Sequence, residues 1–119
     1  FNTRYSEICK RALLDKQGSA PSGIVVAQCI GPQFESPNEI DALERLGAHV
    51  VGMTLGPEQR LISETSIQHV SLLCSSNWAA GRTPGEPDAE IDHTSVDAMA
   101  SNMRNLVSYC IQALLSSDI

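Results

Sequence analysis

Three short apolar runs, set apart by amphipathic stretches, constrain this chain more than any other feature. They are "GIVVAQC" from Gly23, "AHVVGM" from Ala48 and "HVSLLCSS" from His69. Runs of this length bounded by Gly or Gly-Pro read as buried strands. In the third, Val70, Leu72 and Cys74 alternate with His69, Ser71 and Leu73, the period of a strand. Between the first two lies "SPNEIDALERLG". Ser36 is placed to cap, Pro37 fits the first helical position, Glu39 completes a capping box and Gly47 closes the helix. "GPEQRLISETS" opens another helix, with Pro57 near its start. At the front, "TRYSEICKRALLDKQG" sets Tyr5, Ile8, Cys9, Ala12 and Leu13 on one stripe and stops near Gly18. After Thr94, with Asp97 three residues on, Val96, Met99, Met103, Leu106, Val107, Cys110, Ile111, Leu114 and Leu115 keep a helical period to the end. The order helix, strand, helix, strand, helix, strand, helix predicts α/β layers, with helices packed on a mostly parallel sheet.

Composition narrows the function classes. Eight basic against fourteen acidic residues give a formal charge of -6. Without a basic patch, nucleic acid and anionic membranes are disfavoured as partners. No stretch approaches a bilayer-spanning length, and the start has no basic region leading into an apolar one. The 119 residues suffice for one domain with a core. An apolar fraction of 42% with only 4% aromatics fits an aliphatic interior. Cys9, Cys29, Cys74 and Cys110 show no C-x-x-C spacing. Three of them lie inside apolar periodic segments, where a free thiol behaves as a small hydrophobe, and a reduced, cytoplasmic protein is expected. No histidine shares a short ligand motif with a cysteine, so zinc is disfavoured. The chain begins at Phe1 rather than Met, as a processed or truncated piece would.

In α/β sheets, ligands sit beyond the carboxyl ends of the strands. Three such ends are to be searched: residues 30–36, with Phe34 and Glu35; residues 53–58, with Met53 and Thr54; and residues 75–81, with Ser76, Asn77 and Trp78. A carboxylate, an amide, hydroxyls, an aromatic face and a thioether suit a heteroaromatic ring bearing a polar sugar. Each residue also has a plainer role. Glu35 favours the positive end of the following helix dipole, and Asn77 is a turn former. Phe34 and Met53 fit a core, Thr54 a local cap, and His93 a solvated position before the last helix. The acidic, Pro- and Gly-rich residues 79–92 read as an exposed loop.

Taken together these strings are more specific. "GIVVAQCIGPQFESPNEIDALERLGAHVVGMTLGPE" resembles the signature region of the trimeric purine nucleoside phosphorylase and methylthioadenosine phosphorylase family. "SSNWAAG" resembles that family's S-N-x-A-A-G strand end, and "IDHTSVDAM" its last helix start. The resemblance covers Gly23 to Met99. It implies the carboxy-terminal half of a three-layer α/β domain and phosphorolysis, in which purine nucleoside and inorganic phosphate give free base and sugar 1-phosphate. No other cofactor is implied. Glu35 matches the acid that accepts from purine N1–H, Asn77 the amide that holds O6 and N7, and Phe34 the aromatic against the base. Met53 matches the thioether beneath the sugar. Thr54 replaces a serine that contacts phosphate, Ser76 belongs to the substrate-binding strand end, and His93 matches a histidine that bonds the sugar 5'-hydroxyl.

The pairing of Glu35 with Asn77 implies 6-oxopurines, inosine and guanosine, since adenine reverses both hydrogen-bonding edges. A buried mismatch of that kind discriminates by roughly 10⁴-fold. Methylthioinosine or methylthioadenosine phosphorylase, and a non-catalytic purine-binding module, are the alternatives. The chain departs from the family in places. Ile24 replaces an aromatic, His49 replaces an acid, and Leu55-Gly56 stand where the family has Thr-Val. Gly56 before Pro57 is expected to loosen the loop bearing Thr54. The family's phosphate loop, its phosphate-binding arginine and histidine, and an aromatic lent across the trimer are not found in these residues. The resemblance thus implies that residues 1–119 form the carboxy-terminal portion of one domain. It also implies that an N-terminal half completes the enzyme, and that the complete unit is a homotrimer serving purine salvage.

Overall fold

A computed structural model describes residues 1–91 and 93–117, the side chains of 93, 95 and 96 lying outside the described residues. Its elements run α1 (Thr3–Gln17), β1 (Val26–Gln28), α2 (Pro37–Arg45), β2 (Val50–Gly52), α3 (Leu55–Ser63) and α4 (His93–Ser116). They fall into two compact units. One comprises Phe1–Ser22, Ile67–Cys74 and Thr94–Ile119, the other Gly23–Ser66 and Ser75–His93.

The first unit is built on α1 and α4. Asn2 caps α1: its side-chain oxygen accepts from the Tyr5 N–H at 2.8 Å. The helix ends where Gly18 turns left-handed at φ 74° and its N–H reaches the Leu14 carbonyl. The predicted stripe is correct at its centre, because Cys9, Ala12 and Cys110 form the buried core with Leu13, Val70, Leu72, Tyr109, Ala113 and Leu114 around it. The third apolar run is a correction to the sequence reading: residues 67–76 carry no strand. Val70 and Leu72 do pack on the core while Leu73 is exposed, but Cys74, expected on the inward side, is exposed as well, so the alternation holds only at the centre of the run. A strand is defined by its ladder, however, and among the described residues this run has none. It is tied to the start of α1, where the Asn2 N–H donates to the His69 carbonyl and Asn2 Nδ2 donates to Gln68 Oε1, each at 2.7 Å.

The second unit contains a β-α-β arrangement. β1 and β2 are parallel, with Val26 opposite Val50, Ala27 opposite Val51 and Gln28 opposite Gly52. α2 is the crossover between them, and parallel neighbours need such a connection. Its start follows the predicted capping box: Ser36 Oγ accepts from the Glu39 N–H at 3.2 Å, and Pro37 occupies the first turn. Ile40 is its buried anchor. The His49 Nδ1 accepts from the Val25 N–H at 2.9 Å, so the residue that replaces an acid extends the pairing at the start of β1. The fold is α/β, with both strands only partly buried. Among the described residues no helix is long and apolar enough to cross a membrane.

Candidate functional site

Parallel strands end on the same side, so the turns that follow β1 and β2 leave from one edge. Beyond β1 the chain turns through Gly31 and a cis Gly31–Pro32 bond and delivers Phe34 and Glu35 to a cleft of about 410 Å³. Cys29, Gln33, Glu39 and Leu43 also line it. Phe34 is 46% exposed, an open aromatic face rather than a core residue. Burial, then the charges of Glu35 and Glu39 and the hydrogen bond to Glu35, push the Cys29 thiol above its ordinary pKa.

Met53 follows β2 and reaches the same turn. A Cβ on Gly31 would lie 2.5 Å from the Met53 sulfur, and Gly31 has φ 68°. The left-handed backbone favours glycine there, and an added side chain would also have to displace Met53. Thr54 stands at the N-cap of α3, exposed, with no side-chain capping bond. The looseness expected at Gly56 is countered, because its N–H donates to Gln28 Oε1 at 2.7 Å.

The third predicted end is arranged differently. Ser76 Oγ donates to Asn77 Oδ1 at 2.8 Å, and Asn77 Nδ2 donates to the Trp78 carbonyl at 2.9 Å. Both polar atoms of the Asn77 amide are thus engaged locally, and Trp78 is exposed. Just beyond, Arg82 pairs with Asp41 and Glu44 on α2. A Cβ on Gly81 would sit 3.2 Å from that of Pro37, so the loop lies closely against the start of α2. A second open cavity, about 470 Å³, places Phe34 and Pro37 opposite Gly81, Pro87 and Glu90. The Phe34 ring thus walls two cavities. Phe34, Glu35 and Met53 gather around the turn after β1; Ser76 and Asn77 line neither cavity. The side chain of His93 lies outside the described residues.

Sequence reasoning gave Glu39 only a capping role and Cys29 only that of a small hydrophobe, and it did not single out Gln28 or Arg82. Glu39 and Leu43 were legible in principle: they are four apart on the helix opened by Ser36, so they share a face. Gln28 and Arg82 carried no local signal, since their partners lie 28 and 41 residues away.

Residues 2–112 match the model of the phosphorylase superfamily. A protein of Xylella fastidiosa named probable S-methyl-5'-thioinosine phosphorylase is 34% identical over 98% of this chain and 46% of its own length. A probable 6-oxopurine nucleoside phosphorylase of Moorella thermoacetica is 33% identical over 96% of this chain and 45% of its own. A protein of the same description from Thermococcus kodakarensis is 40% identical over 63% of this chain and 27% of its own. This chain therefore spans less than half the length of these curated relatives. No solved structure gives a significant match. The family's pattern runs from residue 2 to residue 112, across both compact units, and the chain belongs to the phosphorylase superfamily.

Proposed function

We propose that this chain supplies the purine-binding part of a phosphorylase acting on 6-oxopurine nucleosides. In this reading both units belong to the carboxy-terminal portion of one domain. A further polypeptide segment supplies most of the phosphate site, and the complete unit is a homotrimer. The observation that carries the reading is Glu35 beside Phe34 on one cleft wall, past the carboxyl end of β1.

Phosphorolysis breaks the bond between sugar C1' and purine N9 and forms one between C1' and a phosphate oxygen. Positive charge develops on the sugar while the base departs with the electron pair. Donors and acceptors preplaced for that charge separation supply much of the acceleration. Glu35 accepts from N1–H. Asn77 holds O6 and N7 by exchanging its bond to the Trp78 carbonyl for bonds to the base. Phe34 packs on the ring, Met53 lies under the sugar, Thr54 contacts phosphate, Ser76 supports the Asn77 amide, and His93 meets the 5' substituent.

A second reading, 5'-methylthioinosine as substrate, is favoured by the name of the Xylella relative. Inosine and methylthioinosine carry the same base, so the role of Glu35 is common to both, and the readings part only at the 5' position. The test is purine release from inosine, 5'-methylthioinosine and adenosine by the complete enzyme and its Glu35→Gln variant. The expected result is phosphate-dependent hypoxanthine release that falls about 100-fold in the variant, with a narrowed preference over adenosine. An unchanged preference contradicts the assignment of Glu35. The better of the two inosine-type substrates decides the 5' question.

A further inference from the structure

We infer that Gln28 is a positioning residue that takes over the capping of α3 and so leaves the Thr54 hydroxyl available to substrate. This deepens the proposed function, because it rests on Thr54 as the phosphate contact.

The first N–H groups of a helix have no partner within it, and the side chain of the N-cap residue ordinarily serves one of them at the second or third position. Thr54 is the N-cap of α3 and a residue type suited to the task, yet its side chain makes no capping bond. The N–H at the second position, that of Gly56, is instead taken by Gln28 Oε1 at 2.7 Å. Gln28 is the last residue of β1, paired across the ladder with Gly52. Its orientation is held at the other end as well, because Nε2 donates to the Cys29 carbonyl at 2.9 Å. The amide therefore ties the end of β1 to the start of α3.

Gly56 completes the arrangement. A Cβ there would meet Gln28 Cγ and Oε1 at 2.7 Å and Cδ at 2.9 Å. The stem of Gln28 occupies the space that a side chain at position 56 would take, so a larger residue there would have to push Gln28 off the Gly56 N–H. The resemblance implies valine at that place, and a valine there would collide with Gln28 as it is placed here. The loop is not slack: it is held by a strand residue, and the threonine that would normally hold it is released. Met53 against Gly31 makes a second tie between the same two turns. Phe34 and Glu35 on one side and Met53 and Thr54 on the other are thus set at a fixed spacing.

The test is a double-mutant cycle of Gln28→Leu and Thr54→Ala in the complete enzyme, read by phosphate KM, nucleoside KM and equilibrium unfolding. Gln28→Leu is expected to raise the phosphate KM about tenfold as Thr54 turns back to cap α3, with nucleoside KM within about twofold. Thr54→Ala is expected to raise the phosphate KM similarly with little change in stability while Gln28 is present. In the Gln28→Leu background the same change is expected to add little to KM but to shift the unfolding equilibrium about fivefold, the usual cost of a lost cap. Gln28→Ala serves the same cycle if leucine packs badly. An equal stability cost of Thr54→Ala in both backgrounds, or an unmoved phosphate KM in Gln28→Leu, overturns the inference. An enzyme that never uses phosphate overturns the proposed function instead, while the unfolding arm still decides whether Gln28 is the cap.

Discussion

Cys29 and Glu35 line the same cleft, and the Cys29 thiol, which donates to the Ala27 carbonyl at 3.8 Å, is pushed above its ordinary pKa by burial and then by the charges of Glu35 and Glu39. A thiol held protonated is a poor nucleophile. Glu35→Gln removes one charge and is expected to lower the Cys29 pKa and speed its alkylation by iodoacetamide at pH 8. Peptide mass spectrometry separates this site from exposed Cys74. Equal Cys29 rates in the two proteins contradict the influence of Glu35.

Arg82 ties the loop after Asn77 to α2 through Asp41 and Glu44. Exposed ion pairs contribute little to global stability, so Arg82→Ala is expected to leave the unfolding midpoint nearly unchanged. Its effect is local: cleavage by a glutamate-specific protease at Glu90 is expected to speed up severalfold, and high salt is expected to do the same to the unaltered protein. Unchanged cleavage kinetics count against the tie.

At Gly31 two costs coincide, a left-handed φ of 68° and a Cβ placed 2.5 Å from the Met53 sulfur. Gly31→Ala is expected to destabilise the protein by about 2 kcal/mol or more in denaturant unfolding. Adding Met53→Ala relieves the collision but not the backbone cost, so recovery is expected to be partial. Full recovery shows that the backbone there is not left-handed.

Cys9 gives a pH dependence. Burial first, then the charge of Cys110 and the hydrogen bond to it, raise the Cys9 pKa from its ordinary 9.0 to about 11. Between those values the unfolded chain gives up this proton and the folded chain keeps it. The stability tied to the neutral thiol is therefore complete below pH 9 and is lost as pH rises towards 11. The unaltered protein is expected to lose stability more steeply than Cys9→Ala from pH 8.5 to 10.5, measured by denaturant titration. Parallel curves contradict the shift.

What was legible in the sequence followed from local chemistry. Ser36, Pro37 and Glu39 announce the start of α2, Gly18 the end of α1, and the spacing of Cys9 and Ala12 their place in the core. Residues 67–76 misled because alternation reports which side chains face inward, whereas a strand also needs a neighbour. Phe34 and Glu35 were found because they follow an apolar run directly. The roles of Gln28, Gly56 and Arg82 were hidden, since each depends on a partner far along the chain. Gly56 was even read with the wrong sign: a glycine before proline looks slack unless the side chain filling its empty space is known.

The central claim is that this chain binds the base in phosphorolysis of 6-oxopurine nucleosides. The most direct measurement is hypoxanthine release from inosine, with and without phosphate, by the protein purified from its native source, alongside its intact mass and any co-purifying polypeptide. Phosphate-dependent release by an assembly containing a further polypeptide segment is the predicted result. A lone 119-residue chain that binds hypoxanthine yet releases none from inosine or 5'-methylthioinosine contradicts it and leaves a purine-binding module.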